Sequence, residues 1–346
     1  MRKNIPVVTA MKKTKKKVEL PLVEPLYSTY HYQGTATAVL GSNPSVRNWY
    51  LNQAVSLTCT RKFLNGFTTP QIMVSGAEWG DNPHLDKKSY NMQFLGGYTH
   101  TVIRNLLDAG YYVSFNGIDD FYVEGKSWYR ERHFRHDGCI CGYDQEEKTY
   151  TIYAYDKSWI YRTFRTPQKA FDAGRKAEFK KGIYGNICGI KPKADRVAFA
   201  PETALKKIAE YLDSDMEKYP EAAEGVVSGI VVHDYIAMYL DRLIDGSVPY
   251  EKMDRRVFRM IWEQKKVMLE RLERIEEALH CGNAVSISYR SVVREADNCR
   301  FLYAAHHMKR RDSLLPAIRE KLLTLKANEQ EFLHTLLRQW KGEETT

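Results

Sequence analysis

Near residue 195 the hydrophobic pattern changes period, and this change limits the possible folds more than any single motif does. Upstream, YYVSFNGI, GCICGYD, TYTIYAYD and WIYRTFRT are short runs rich in β-branched and aromatic residues, broken by Gly, Asp and Pro, and they predict strands. Downstream, from about Pro201 to Trp340, apolar residues recur at helical spacing in PETALKKIAEYLD, HDYIAMYLDRLID, RRVFRMIWEQKKVMLERLERIEEALH and RDSLLPAIREKLLTLKANEQEFLHTLLRQW. Over 346 residues, one such change predicts an α+β protein of two domains. A mixed domain is expected over 21–195. An all-α helical bundle is expected over 196–346, with short connections such as GSVPYEKMD and HCGNAVS between its helices.

Two helices are expected ahead of the strands. In SVRNWYLNQAVSLTCTRKFLNG, Asn43 or Ser45 can cap the start, Pro44 suits the first turn and Gly66 lies beyond the end. THTVIRNLLDAG closes on Gly110 in the C-cap position. Between them runs a long stretch rich in Gly, Asn and Asp. It either lines a site, with Trp79 and His84 touching a substrate, or is a surface excursion anchored by Trp79.

Residues 1–20, with the lysine cluster KKTKKK, read as a basic, flexible tail; the apolar piece IPVVTAM is too short for a secretory signal. No apolar run approaches the roughly 20 residues of a membrane span, so no membrane partner is expected. The net charge is +9, but basic and acidic residues mix on the helix faces and the aromatics from Tyr111 to Phe164 serve strand packing. Nucleic acid is therefore not the expected partner. Six cysteines without a paired framework suit a reducing cytoplasm. Cys139 and Cys141 form a CxC, but with no second pair at zinc spacing they read as core residues, and no metal or cofactor is expected. HHMKRR, at 306–311, suits an acidic protein partner or a basic helix end, and nothing excludes a homo-oligomer.

In HFRHDGCICGYD, His136 stands at the entry of a strand that is apolar nearly throughout, and Asp156 ends the following strand. Antiparallel neighbours joined by a tight turn would bring the two side chains together, His136 as a base and Asp156 holding its tautomer. The plainer alternative is a pair of sheet-edge residues hydrogen-bonded to loops.

The succession GIDDFYV, HFRHDGCICGYD and IYAYD resembles the N-terminal domain of the butirosin biosynthesis protein H family. The likeness covers about Tyr27 to Pro167, while HDYIAMYL and DRRVFRMIWEQKKVML resemble the C-terminal part of long members from natural-product gene clusters. It implies a papain-like domain with an antiparallel sheet and an N-terminal helix, related to bacteriocin-processing cysteine peptidases. It also implies acyl transfer from an acyl or peptidyl carrier protein thioester to a small-molecule amine. The general base would be His136 and the orienting acid Asp156; Asp119 and Tyr122 would form an aspartate–aromatic signature beside the substrate. His133 and Asp137 receive no role, and strand alternation turns Asp137 away from His136.

The family pattern breaks at the nucleophile. Papain-like enzymes set a cysteine in the first turn of the helix before the sheet, where the helix N-terminus and the histidine lower its pKa. Here SNPSVRNW stands at that place, and Cys59 falls about four turns later, roughly 20 Å away by helical rise. Three readings stay open. Ser45 is a serine nucleophile activated by His136; or the site is altered and non-nucleophilic, binding an acyl-thioester or aminated intermediate as an accessory protein or merely folding around a relic pair; or His136 and Asp156 perform acid–base chemistry without a covalent intermediate.

Overall fold

The computed structural model describes residues 15–65, 69–214 and 225–342. Along them run β1 (Lys17–Glu19), α1 (His31–Ala38), α2 (Arg47–Gln53), β2 (Leu57–Thr60), β3 (Met73–Val74), β4 (Leu85–Asn91), α3 (Met92–Leu95), α4 (Thr99–Asp108) and β5 (Tyr112–Asp119). There follow β6 (Arg135–Asp144), β7 (Thr149–Tyr155), β8 (Tyr161–Pro167), α5 (Gln168–Phe179), β9 (Asn186–Pro192), α6 (Pro201–Leu212), β10 (Val226–Ser228), α7 (Val232–Ile244), α8 (Val257–Leu279), α9 (Ala284–Lys309) and α10 (Leu314–Lys341). The protein is α+β. Its chain forms two compact units: one takes the chain up to Pro44 and again from Pro83 to Asp195, the other Ser45–Asn82 and the chain from Arg196 on. Segment 45–82, expected within the first domain, belongs with the helices.

The first unit is built on an antiparallel sheet in the order β4-β9-β5-β6-β7-β8, with β1 also paired to β6. Ile103, Leu106 and Leu107 of α4 and Phe171 of α5 share a core with Val113, Phe115, Ile140 and Ile152 of the central strands. Phe171 meets Phe115 edge-on at 5.2 Å between ring centroids. Helix α1 packs on β6 and is buried along its length except at Tyr32. Gly34 allows the Tyr161 ring of β8 against it: a Cβ at that position would lie 2.7 Å from the ring.

Two local expectations need correction here. Of the expected tail, 1–14 lie outside the described residues, but Lys17–Glu19 form β1, with Lys17 opposite Asp144 and Val18 buried. The helix expected from Ser45 to Gly66 is only α2, and Leu57–Thr60 is a strand instead. Arg271, fully buried, ends α2 by donating to the carbonyls of Tyr50, Leu51 and Ala54, and the β-branched Val55, Thr58 and Thr60 then favour extended chain. Gly66, the expected end, lies outside the described residues.

The second unit carries helices α6 to α10 and also a small antiparallel sheet, β10-β2-β3. Its helices meet at one carboxylate. Glu329 of α10 accepts from Lys265 of α8 at 2.6 Å, Tyr211 of α6 at 3.0 Å and Tyr289 of α9 at 2.5 Å, and His233 Nε2 of α7 lies 3.8 Å away. All five are buried. Burial lowers the pKa of Lys265, and the Glu329 charge opposes that loss. Removing one partner strands the other charge in a dry interior. Lys265→Met is therefore expected to cost about 3–5 kcal/mol in denaturant unfolding, and adding Glu329→Gln to it should recover part of the loss. Equal stability of the single and double variants would contradict this account.

Candidate functional site

The end of β5 sets the site in the first unit. Asp119, fully buried, turns the chain there by accepting the backbone N–H groups of Phe121 and Phe134, each at 3.1 Å, and its other oxygen meets His133 Nδ1 at 2.8 Å. His133 in turn stacks on Phe121 at 4.3 Å between ring centroids. Asp119 is thus occupied in holding the 119–134 loop closed. Tyr122, at the surface, meets Phe121 edge-on at 5.2 Å.

The next residue holds a second histidine. Asp120 is fully buried, and its Oδ2 accepts from His136 Nδ1 at 2.9 Å. Its Oδ1 lies 3.3 Å from the Lys126 ammonium, an ion pair without hydrogen-bond geometry. Lys126 Nζ instead donates to the Asp137 carbonyl at 2.5 Å. Burial lowers the pKa of Lys126, while Asp120 opposes the shift. A carboxylate only accepts, so the hydrogen on His136 is at Nδ1. Nε2 is then the nitrogen left to take a proton; it has no hydrogen-bond partner among the described residues, and the side chain is 22% exposed. This is the geometry of an oriented base.

A second imidazole faces it. His31, the first residue of α1, sets its ring edge-on to His136 at 4.5 Å between centroids and also packs on Tyr155 and Tyr161. Both ring nitrogens of His31 are buried without a hydrogen-bond partner. Desolvation lowers its pKa well below the ordinary histidine value, the Lys126 charge and any proton on His136 act in the same direction, and the ring is neutral.

Asp156 does not hold His136. Its Oδ1 accepts from the backbone N–H groups of Ser158, at 2.8 Å, and Ile160, at 3.0 Å, and its Oδ2 pairs with Arg162. Burial pushes its pKa up, but these donors outweigh burial and leave it lowered. The β6–β7 ladder ends at Cys139 and Tyr153, and beyond it Lys126 bridges to Asp156 while Ser127 N–H donates to the Tyr155 carbonyl. The 126–127 backbone therefore takes the place opposite Asp156 that the continued ladder would have given to His136.

The helix start beside His136 is that of α1, and it carries His31. Ser45, expected there, falls in the second unit, where its Oγ accepts from Val197 N–H at 3.4 Å. Trp79 belongs to that unit too, while His84 of the first unit pairs with Asp195 at 2.8 Å. The thiols of Cys139 and Cys141 are buried and desolvation raises both, Cys141 to about 12, so neither supplies a thiolate. Asp120, Lys126 and His31 escaped sequence reasoning. The aspartate doublet of GIDDFYV was the one available signal, and nothing in EGKSWY or TYHYQG marks the other two. No protein-family model matches the chain, and no curated protein does so either.

Unfolding returns His31 to the ordinary histidine pKa of 6.5, so below that pH the unfolded state binds a proton that the folded state refuses. Stability is therefore held above this value and lost as pH falls beneath it. His233, also lowered by burial, acts with the same sign. His31→Phe is expected to reduce the slope of unfolding free energy with pH by about 1.4 kcal/mol per unit as the medium is taken from about pH 6 to about pH 5. An unchanged slope in urea titrations would show that His31 is protonated in the folded protein.

Proposed function

We propose that the first unit is an acyltransferase or amide synthase in which His136, oriented by Asp120, activates a small-molecule amine against an acyl group held as a carrier-protein thioester. The observation that carries the reading is the His136–Asp120 pair, with one imidazole nitrogen tied to a buried carboxylate and the other open. The acyl donor, the amine acceptor and a place in specialised metabolism come from the resemblance of GIDDFYV, HFRHDGCICGYD and IYAYD to the butirosin biosynthesis protein H family. Six free cysteines accord with a cytoplasmic protein.

The chemistry proceeds without a covalent enzyme intermediate. As the amine nitrogen bonds to the thioester carbon, His136 Nε2 takes its proton, and Asp120 stabilises the imidazolium. The C–S bond then breaks, and the same proton passes to the departing thiolate. Thioester and amine become amide and carrier thiol. Lys126 acts through Asp120, limiting the cost of burying its charge. Neutral His31 walls the site at the start of α1, where papain-like enzymes set a thiol.

The same imidazole wall supports a second reading, an accessory protein that binds the acylated carrier without turnover. Amide formation from an acyl-carrier thioester and an amine, followed by mass spectrometry, separates the two. In the enzymatic reading the wild type forms amide, His136→Gln loses about 10²–10⁴-fold of the rate while staying folded, and Asp120→Asn loses part of it. No acyl adduct is expected on the protein. Carrier binding with no amide from the wild type would establish the accessory reading, and full activity of His136→Gln would remove His136 from the chemistry.

A further inference from the structure

A pocket of about 310 Å³ opens at the end of the sheet, lined by Asn116, Gly117, Arg135, Asp137 and the 183–185 turn. Its floor is a bulge: the β5–β6 register shifts between Phe115 and Ile118. Gly117 there has φ +71°, and a Cβ on Gly185 would lie 2.1 Å from the Asn116 carbonyl oxygen, so both positions need glycine for the strand end and the turn to close on each other. Asn116 Oδ1 pins the turn by accepting from Asn186 N–H at 2.8 Å.

Two opposite charges line this pocket. Arg135 and Asp137 alternate with His136 along β6, so their side chains leave the strand on the side away from its ring. Among the described residues, neither the Arg135 guanidinium nor the Asp137 carboxylate forms a hydrogen bond or an ion pair, with each other or with another group. Asp137 is partly buried. Burial raises the pKa of Asp137 although the His136, Lys126 and Arg135 charges pull the other way, so none of them replaces a cation in direct contact with the carboxylate, and a ligand ammonium there would favour its charged form.

We propose that this pocket binds a small zwitterion of the amino-acid type, its ammonium on Asp137 and its carboxylate on the Arg135 guanidinium. Arginine offers a planar fork for a carboxylate, and the aspartate accepts from an ammonium, so together they select a molecule bearing both charges. The site does not depend on the chemistry proposed for His136.

Isothermal titration calorimetry on the full chain tests it, with glycine, β-alanine and 4-aminobutyrate as probes and propionate and propylamine as single-charge controls. At least one zwitterion should bind saturably, with the controls, Asp137→Asn and Arg135→Gln each about tenfold weaker or more, in keeping with loss of one charge-assisted contact. His136→Gln should bind as the wild type does, so that failure of the acyl-transfer reading leaves this result intact. The assignment is overturned if no zwitterion gives saturable heat, if either single-charge control matches the zwitterions, or if either pocket variant, folded by circular dichroism, keeps wild-type affinity.

Discussion

A carboxylate withdrawn from water must be surrounded by donors or cations, and the Asp120 carboxylate organises the first unit on those terms. His136 and Lys126 both converge on it, and Asp119 beside it fastens the loop that brings them there. The two adjacent aspartates divide the work. One gives an oxygen to two backbone N–H groups and makes the turn, pairing with His133 through the other; the second holds His136 and Lys126.

The second unit is arranged in the same way on a larger scale. Glu329 gathers one side chain from each of four other helices. Apolar packing alone tolerates small slips of one helix against another, whereas a dry carboxylate with three donors leaves little freedom in how the helices meet. Its donors are two tyrosines and a lysine and it has no solvent access, which marks it as a structural centre. The His136–Asp120 pair differs because His136 keeps one nitrogen open.

Legibility followed the period of the pattern. Strands β5 to β8 and helices α6, α7, α8 and α10 were readable because each buries one face or is apolar in a bounded run. Helix α1 was not, since HYQGTATA is buried at every position but Tyr32 and has no polar face to set a period. The chain 45–66 misled because its apolar spacing suits a helix, while Arg271, more than 200 residues away in sequence, caps α2 after two turns. Strands β4 and β9 and helix α5 went unmarked as well.

At the site, the sequence alone determined that a histidine would open a buried strand with acidic residues within reach, because strand burial and residue type are local properties. Which acid holds it was decided by tertiary structure. The 126–127 segment pairs with the end of β7 and separates Asp156 from His136, and the turn after β5 delivers Asp120 instead. The group at the facing helix start was settled in the same way, His31 rather than Ser45, because only packing against β6 selects α1 for that place. Partners of a buried charge come from distant segments, and pairwise convergence of that kind leaves no trace in local spacing.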